Sequence, residues 1–128
     1  MSGDGMSEVG PAQVWQAALA EGRLLLQRPV GGGKALFPPR DAAPGSGAAL
    51  EWFAASGRAV LYSLTWVQQR PPAAAYAIAL VELAEGPRLM ARLDGLDGAG
   101  AHIGMALAAR ITPGADGPAL TFIPAGEA

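Results

Sequence analysis

The sequence contains no cysteine and only one histidine, His102. Without cysteine the chain can form no disulfide and has no thiolate ligand for a metal ion, and one histidine alone cannot hold a metal. We also find no Ser-His-Asp or Cys-His set that would support nucleophilic catalysis, and His102 has no evident partner that would position it as a base. These shortages predict a protein with no metal, no cofactor and no catalytic centre of its own.

Long apolar runs and a strong charge of one sign are missing as well. No run approaches the roughly 20 residues of a membrane span, and the polar, glycine-rich stretch 1–10 lacks the basic and apolar regions of a signal peptide. The net charge is −2, and aromatic residues make up 6% of the chain. We therefore expect a cytoplasmic protein with no membrane association, and the charge argues against nucleic-acid binding.

Alanine, glycine and proline are abundant. Hydrophobic residues make up 51% of the sequence, but 28 residues are alanine, which predicts a small and closely packed core. The 18 glycines and 11 prolines favour many turns and short strands over a helical bundle.

The N-terminal part predicts a disordered leader over residues 1–10 and one short helix over residues 11–21. Pro11 suits a first helical turn, and Gly22 suits the helix end. The apolar face of this helix consists of Val14, Trp15, Ala18 and Leu19. A short strand is predicted at 24–28, and the short apolar piece Ala35-Leu36-Phe37 could pair back onto it.

From Leu50 onward the pattern is typical of an all-β domain. Five strands are predicted, close to Val60–Trp66, Tyr76–Leu83, Leu89–Leu93, Met105–Ile111 and Ala119–Ile123. A small closed barrel fits this number better than a sandwich, which usually needs about seven strands.

Three details of side-chain placement follow from the β pattern. Val60, Tyr62, Leu64 and Trp66 alternate along one face of the first strand. The strand Tyr76–Leu83 is apolar on both faces, as expected for a strand covered on both sides. The three tryptophans are interpreted as core and seam residues rather than as a stacking platform; they are Trp15, Trp52 and Trp66.

An ordered series of short motifs then points to a known family. Its members in this sequence are Glu21-Gly22-Arg23-Leu24, Gln27-Arg28, Phe37-Pro38-Pro39-Arg40, Leu50-Glu51-Trp52, Ser56-Gly57-Arg58, Val60-Leu61-Tyr62-Ser63, Val81-Glu82-Leu83, Glu85-Gly86-Pro87-Arg88-Leu89-Met90 and Ile103-Gly104-Met105. The series runs from about Trp15 to Pro124. It resembles the bacterial and archaeal family first catalogued as domain of unknown function thirty-five.

The resemblance implies a short N-terminal helix, a rubredoxin-like zinc ribbon and a C-terminal OB-fold barrel. It also implies a role, because family members are commonly small subunits of thiolase-superfamily enzymes that act on coenzyme A thioesters. Their partners include thiolases, hydroxymethylglutaryl-CoA synthases, steroid side-chain aldolases and polyketide acyltransferases. In such assemblies the thiolase-like subunit carries out the chemistry.

The sequence departs from this family at the zinc ligands. Family members usually place one Cys-x-x-Cys pair after the arginine that matches Arg28 and a second pair after the arginine that matches Arg40. The four cysteine positions fall here on Pro29, Gly32, Ala43 and Ser46. We therefore expect a metal-free ribbon remnant, and we hypothesise that residues 29–49 are mobile until a partner binds.

The candidate contact residues lie in this remnant. Four basic residues fall between Gly22 and Arg40 with no acidic residue among them, and Phe37 begins a short proline-containing motif. The set, assigned to contact with a partner or with the phosphates of coenzyme A, is Arg23, Arg28, Lys34, Phe37, Pro38, Pro39 and Arg40. The alternatives are an ordinary solvated hairpin and a rigid polyproline link to the barrel.

Taken together, the sequence predicts a mainly β protein divided into a leader (1–10), a helix with a degenerate zinc ribbon (11–49) and an OB-fold barrel (50–128). The expected function is that of a non-catalytic accessory subunit of a thiolase-superfamily acyl-CoA enzyme. Two alternatives stay open: a free-standing module that binds acyl-CoA or another small ligand, and a nucleic-acid-binding OB protein.

Overall fold

A computed structural model gives the fold and describes residues 10–96 and 100–125. Within these residues the chain forms one helix and seven strands. They are α1 (Pro11–Ala20), β1 (Leu25–Pro29), β2 (Leu50–Ala54), β3 (Arg58–Val67), β4 (Tyr76–Leu83), β5 (Arg88–Leu93), β6 (Ala106–Thr112) and β7 (Ala119–Pro124). The leader predicted to be disordered lies, apart from Gly10, outside the described residues.

Helix α1 begins at Pro11 and ends where the sequence predicts. Gly22 has a φ of 82°, which a residue with a side chain rarely adopts. Its N–H donates to the carbonyl of Leu19 (2.8 Å), and the N–H of Arg23 donates to the carbonyl of Ala18 (2.9 Å), so these two carbonyls of the last turn are satisfied. No helix of the described part of the chain is long and apolar enough to cross a membrane.

Strands β1 and β2 form a separate two-stranded antiparallel sheet, in which Leu25 lies opposite Ala54 and Pro29 lies opposite Leu50. The predicted barrel begins at residue 50, whereas the first strand of the barrel in the structure begins at Arg58. The residues of the five-residue strand β2 do not indicate which strand it pairs with, so the sequence could not separate β2 from the barrel. The predicted pairing of the Leu36 region with β1 is present as a single bridge between Gln27 and Leu36.

The other five strands form a closed barrel in the order β3-β4-β5-β7-β6, and β6 pairs with β3 to close it. All neighbours are antiparallel except β5 and β7, which run parallel where Leu93 lies opposite Phe122. This arrangement confirms the predicted mainly β fold with a five-stranded OB-type barrel behind a short N-terminal helix.

The barrel interior is small and rich in alanine, as the composition predicts. Phe122 is fully buried at its centre. The other buried members of the core cluster are Leu26, Ala59, Leu61, Ala77, Ala79, Val81, Leu83, Leu89, Leu93 and Leu107. Leu26 comes from β1, so the small sheet and the barrel share one core.

The prediction that Val60, Tyr62, Leu64 and Trp66 share one face of β3 is wrong. A bulge between Leu61 and Ser63 shifts the register of the strand against β4. Before the bulge, Val60 lies opposite Glu82 on the outer surface; after it, Leu64 lies opposite the buried Ala79. A bulge reverses the alternation of side chains. Trp66 is 50% exposed, so its assignment as a core or seam residue is wrong as well.

Candidate functional site

The predicted basic residues of the ribbon are partly neutralised by acidic residues from outside the sequence window. Arg23 donates to Glu21 (Nη2 to Oε1, 2.6 Å), and Arg28 donates to Glu51 on β2 (Nε to Oε2, 2.8 Å). The guanidinium of Arg28 also lies 4.5 Å from the centre of the Phe53 ring. Half of the predicted basic set is therefore engaged within the chain.

Lys34 and Arg40 are the two members of this set that remain open to a ligand. Both are exposed, and in the part of the chain that the structure describes neither makes an ion pair. Lys34 follows the three glycines at the tip of the loop after β1. A phosphate or a carboxylate of a partner could approach either residue without displacing an existing ion pair.

Phe37 contributes to the interior rather than to a free contact surface. Its ring centre lies 5.4 Å from that of Trp15 on α1, with the two planes tilted by 55°. The Trp15 indole in turn donates to the carbonyl of Leu25 (3.0 Å). Of the neighbouring prolines, Pro38 is exposed and Pro39 is half-buried. The motif thus links α1 to the ribbon through Phe37 and presents Pro38 to solvent.

Gln27, which the sequence analysis did not single out, bonds the segment 30–49 to β1. It is 3% exposed. Its side-chain amide donates to the carbonyl of Arg40 (2.8 Å) and accepts from the N–H of Arg40 (2.8 Å). This pair of bonds anchors the middle of the segment 30–49 to β1. The motif Gln27-Arg28 was part of the family pattern, but nothing in that pattern marks the glutamine as buried.

Further hydrogen bonds close the same segment on itself. The N–H of Val30 donates to the carbonyl of Ala49 (2.9 Å), and the N–H of Ala43 donates to the carbonyl of Ala48 (2.9 Å). Ala43 is 7% exposed. All of these bonds are made within the chain, and the mobility of residues 29–49 without a partner stays a prediction.

The four positions that correspond to zinc ligands in the family do not fit a metal ion. The side chains of Pro29, Gly32 and Ala43 have no atom that can bind a metal ion. The hydroxyl of Ser46 already accepts from the N–H of Ala48 (3.2 Å). No group of three or more potential ligand side chains occurs anywhere in residues 10–96 and 100–125.

The surface of the described residues includes two clefts. The first, of about 430 Å³, lies between the end of α1 and the β6–β7 turn, and Glu21 is its one charged residue; the others are Leu19, Ala20, Gly22, Ile111, Pro113, Gly114, Gly117 and Pro118. The second, of about 480 Å³, is lined by Arg58, Ala59, Val60, Glu82, Leu83, Ala84, Gly86 and Ala106. Both volumes fall in the range of small-ligand pockets.

The closed five-stranded barrel makes this chain an OB-fold protein. A family model described as "ChsH2, C-terminal OB-fold domain" matches residues 52–112. Together with the structural neighbours below, this match supports a resemblance of the chain to the DUF35 family.

Two solved structures resemble the chain closely. A chain of the "Ltp2-ChsH2(DUF35) aldolase" shares 29% sequence identity and superposes with a TM-score of 0.78, covering 88% of this chain and 92% of that one. A DUF35 protein of unknown function from Sulfolobus solfataricus has 16% identity and a TM-score of 0.65, covering 97% of this chain and 92% of that one, and shows the fold alone. No curated protein gives a significant match.

Proposed function

We propose that this protein is a non-catalytic accessory subunit of a thiolase-superfamily enzyme that acts on acyl-CoA thioesters. The observation that carries the proposal is the similarity to a chain of the "Ltp2-ChsH2(DUF35) aldolase", which extends over 88% of this chain and therefore reaches beyond the barrel. The expected cytoplasmic location belongs to the same proposal.

The residues of the chain suit a supporting role. The sequence holds no cysteine and one histidine, and His102 is exposed beside a turn. Such a chain can hold a partner in place and supply charges at its edge, while the partner provides the nucleophile and the base. Within this proposal the segment 29–49 is a zinc-ribbon remnant in which the Gln27–Arg40 bonds provide the cross-link that a metal provides in other members.

The first experiment is a pull-down of the tagged chain from its native host, with identification of what co-purifies. We expect a thiolase-superfamily enzyme, thiolase-like aldolases included, in near-equal amount. Recovery of the chain alone under gentle, low-salt conditions would contradict an accessory role. A scrambled-tag preparation from the same host controls for enzymes that bind the resin.

The two unpaired basic residues of the ribbon predict how coenzyme A is held in that complex. Replacing both Lys34 and Arg40 with alanine should weaken binding of coenzyme A to the complex about tenfold, since a hydrogen bond to a charged group contributes about 1.5 kcal/mol or more and exposure reduces it. Arg70→Ala, another exposed arginine, is the matched control and should leave the affinity unchanged. If the complex with the double variant bound coenzyme A as tightly as the native complex, Lys34 and Arg40 would not belong to the coenzyme A site.

The cleft between α1 and the β6–β7 turn favours one alternative, a free-standing module for a small apolar ligand. Its lining is mostly apolar, and its charged residue, Glu21, is already paired with Arg23. An apolar acyl group would fit it better than the nucleotide end. Calorimetric titration of the isolated chain with acyl-CoA decides between the two, because the accessory role predicts no binding without the enzyme subunit.

A further inference from the structure

The outer surface of three neighbouring barrel strands carries an unusual set of exposed side chains. We call it the outer β3–β5 face; its residues are Val60, Tyr62, Tyr76, Ile78, Leu80, Glu82, Arg88, Met90 and Arg92. Cross-strand register places Met90 opposite Leu80 and Arg92 opposite Ile78. The alternate residues of β4 and β5 point into the core, so the whole face is directed away from the barrel interior.

The centre of this face is apolar and open. Met90 is 71% exposed, Tyr62 is 43% exposed and Val60 is 38% exposed. Ile78 and Leu80 are only half-buried. The sequence pattern of β4, apolar on both faces, predicts a strand covered on both sides, but within the described residues this outer side has no covering layer. An apolar patch on a soluble fold commonly marks an interaction site.

The rim of the face is made of paired charges stacked on aromatic rings. Arg88 lies 3.8 Å from the centre of the Tyr62 ring and 3.5 Å from a carboxylate oxygen of Glu82. At the opposite end Arg92 lies 4.4 Å from the centre of the Tyr76 ring and 3.5 Å from Asp94. An apolar centre that contains methionine, with a rim of tyrosine and arginine, has the residue types that are enriched in protein–protein interfaces.

The charges also decide which kind of macromolecule fits. OB-folds that bind single-stranded nucleic acid use this same part of the barrel, and there the face must carry unpaired positive charge for the phosphates. Here each arginine faces a carboxylate, so the face is close to neutral. The second cleft, of about 480 Å³, borders the face at Val60 and Glu82 and offers a hole for an anchoring side chain of a protein partner.

The size of the face argues against a second copy of the chain as the occupant. Three strands about 4.8 Å apart and six residues long at about 3.3 Å each cover roughly 300 Å². A stable interface buries about 800 Å² on each partner. Two copies stacked by this face alone would fall well below that area, whereas an enzyme subunit that also contacts other parts of the chain would reach it.

We infer that the outer β3–β5 face is the surface by which the barrel docks on the enzyme subunit. The inference rests on the proposed function for the identity of the partner. It adds a docking surface on the barrel, centred on Met90, to the ribbon residues that the sequence analysis selected.

The test compares four tagged chains in the native host: the unaltered chain, Met90→Lys, Val60→Lys and Ile103→Lys. Ile103 is 64% exposed and lies outside the face, so its variant introduces the same charge at a matched exposed site. The co-purified enzyme is identified, then purified and titrated with each chain. We expect Met90→Lys to bind at least tenfold more weakly and Ile103→Lys to bind within about twofold of the unaltered chain. Val60→Lys, on β3 at the other side of the face, should behave like Met90→Lys.

Each other outcome has a distinct meaning. If the unaltered chain captures no thiolase-superfamily enzyme, the proposed function fails. If it captures the enzyme and Met90→Lys and Val60→Lys bind as tightly, the docking face is wrong while the function stands. A dimer of the unaltered chain that Met90→Lys dissolves, or salt-dependent binding of oligo(dT) that Met90→Lys strengthens and Ile103→Lys leaves unchanged, would overturn the inference in favour of another occupant.

Discussion

Replacing Gln27 with leucine should lower the free energy of unfolding by about 2–3 kcal/mol and should loosen the ribbon around Arg40. The substitution keeps the size and burial of the side chain but removes both bonds to the Arg40 backbone. Two backbone groups of Arg40, its N–H and its carbonyl, lose their partners. A buried backbone group left without a partner costs about 1–3 kcal/mol. Arg40 is exposed, so water can reach part of the freed peptide, and the sum of the two costs stays near the lower end of its range.

Hydrogen exchange gives this prediction a local readout. The amide of Arg40 is bonded to the Gln27 side chain, so it should exchange much faster in the variant than in the native chain. The amides of the barrel strands, such as that of Ala79, should change their exchange rates only as far as the global stability changes. Chemical denaturation measures the stability change itself.

Gln69→Leu supplies the matched control, since Gln69 is exposed after the end of β3. It should leave both stability and the exchange of the Arg40 amide nearly unchanged. If Gln27→Leu were equally silent, the ribbon would not depend on this pair of bonds, and its order without a metal would need another explanation.

The ribbon shows why the candidate site could be predicted only in part from the sequence. The basic residues and the loss of the zinc cysteines are visible in the residues themselves. The ion pair between Arg28 and Glu51 is not, because the two residues are far apart in sequence and meet only through the β1–β2 register. The burial of Gln27 depends on the same register and gives no signal in a family motif.

The barrel shows the same division between local and non-local information. Alternation, apolar runs and turn residues were enough to place the five strands, and β5 has the buried and exposed residues where the pattern puts them. The bulge at Tyr62 breaks that rule in β3, since one inserted residue reverses the side-chain alternation after it. Neither hydrophobicity nor turn residues announce such an insertion.

The outer β3–β5 face was present in the sequence but was interpreted differently. A strand that is apolar on both sides predicts cover on both sides, and the sequence alone does not say whether the cover comes from the same chain. The structure supplies the missing fact: the inner side of β4 is buried by the barrel, and the outer side is half-exposed beside Met90.

Replacing Phe122 with alanine should have the largest effect on stability, a loss of about 3–5 kcal/mol. Phe122 is fully buried. It lies opposite Leu93 where β5 and β7 pair in parallel, and its carbonyl accepts from the N–H of Asp94 (2.9 Å). A domain of this size is stable by about 5–15 kcal/mol in all, so the variant should unfold at a markedly lower denaturant concentration.

The same variant tests whether the ribbon and the barrel unfold together. Leu26 of β1 belongs to the core cluster that contains Phe122. We therefore expect one cooperative transition, in which the amides of the ribbon and of the barrel lose protection by similar amounts. Leu120→Ala, at a half-buried position on the same strand, is the control and should cost less. Unchanged protection of the ribbon in Phe122→Ala would instead show that residues 11–49 and the barrel are two independently stable units.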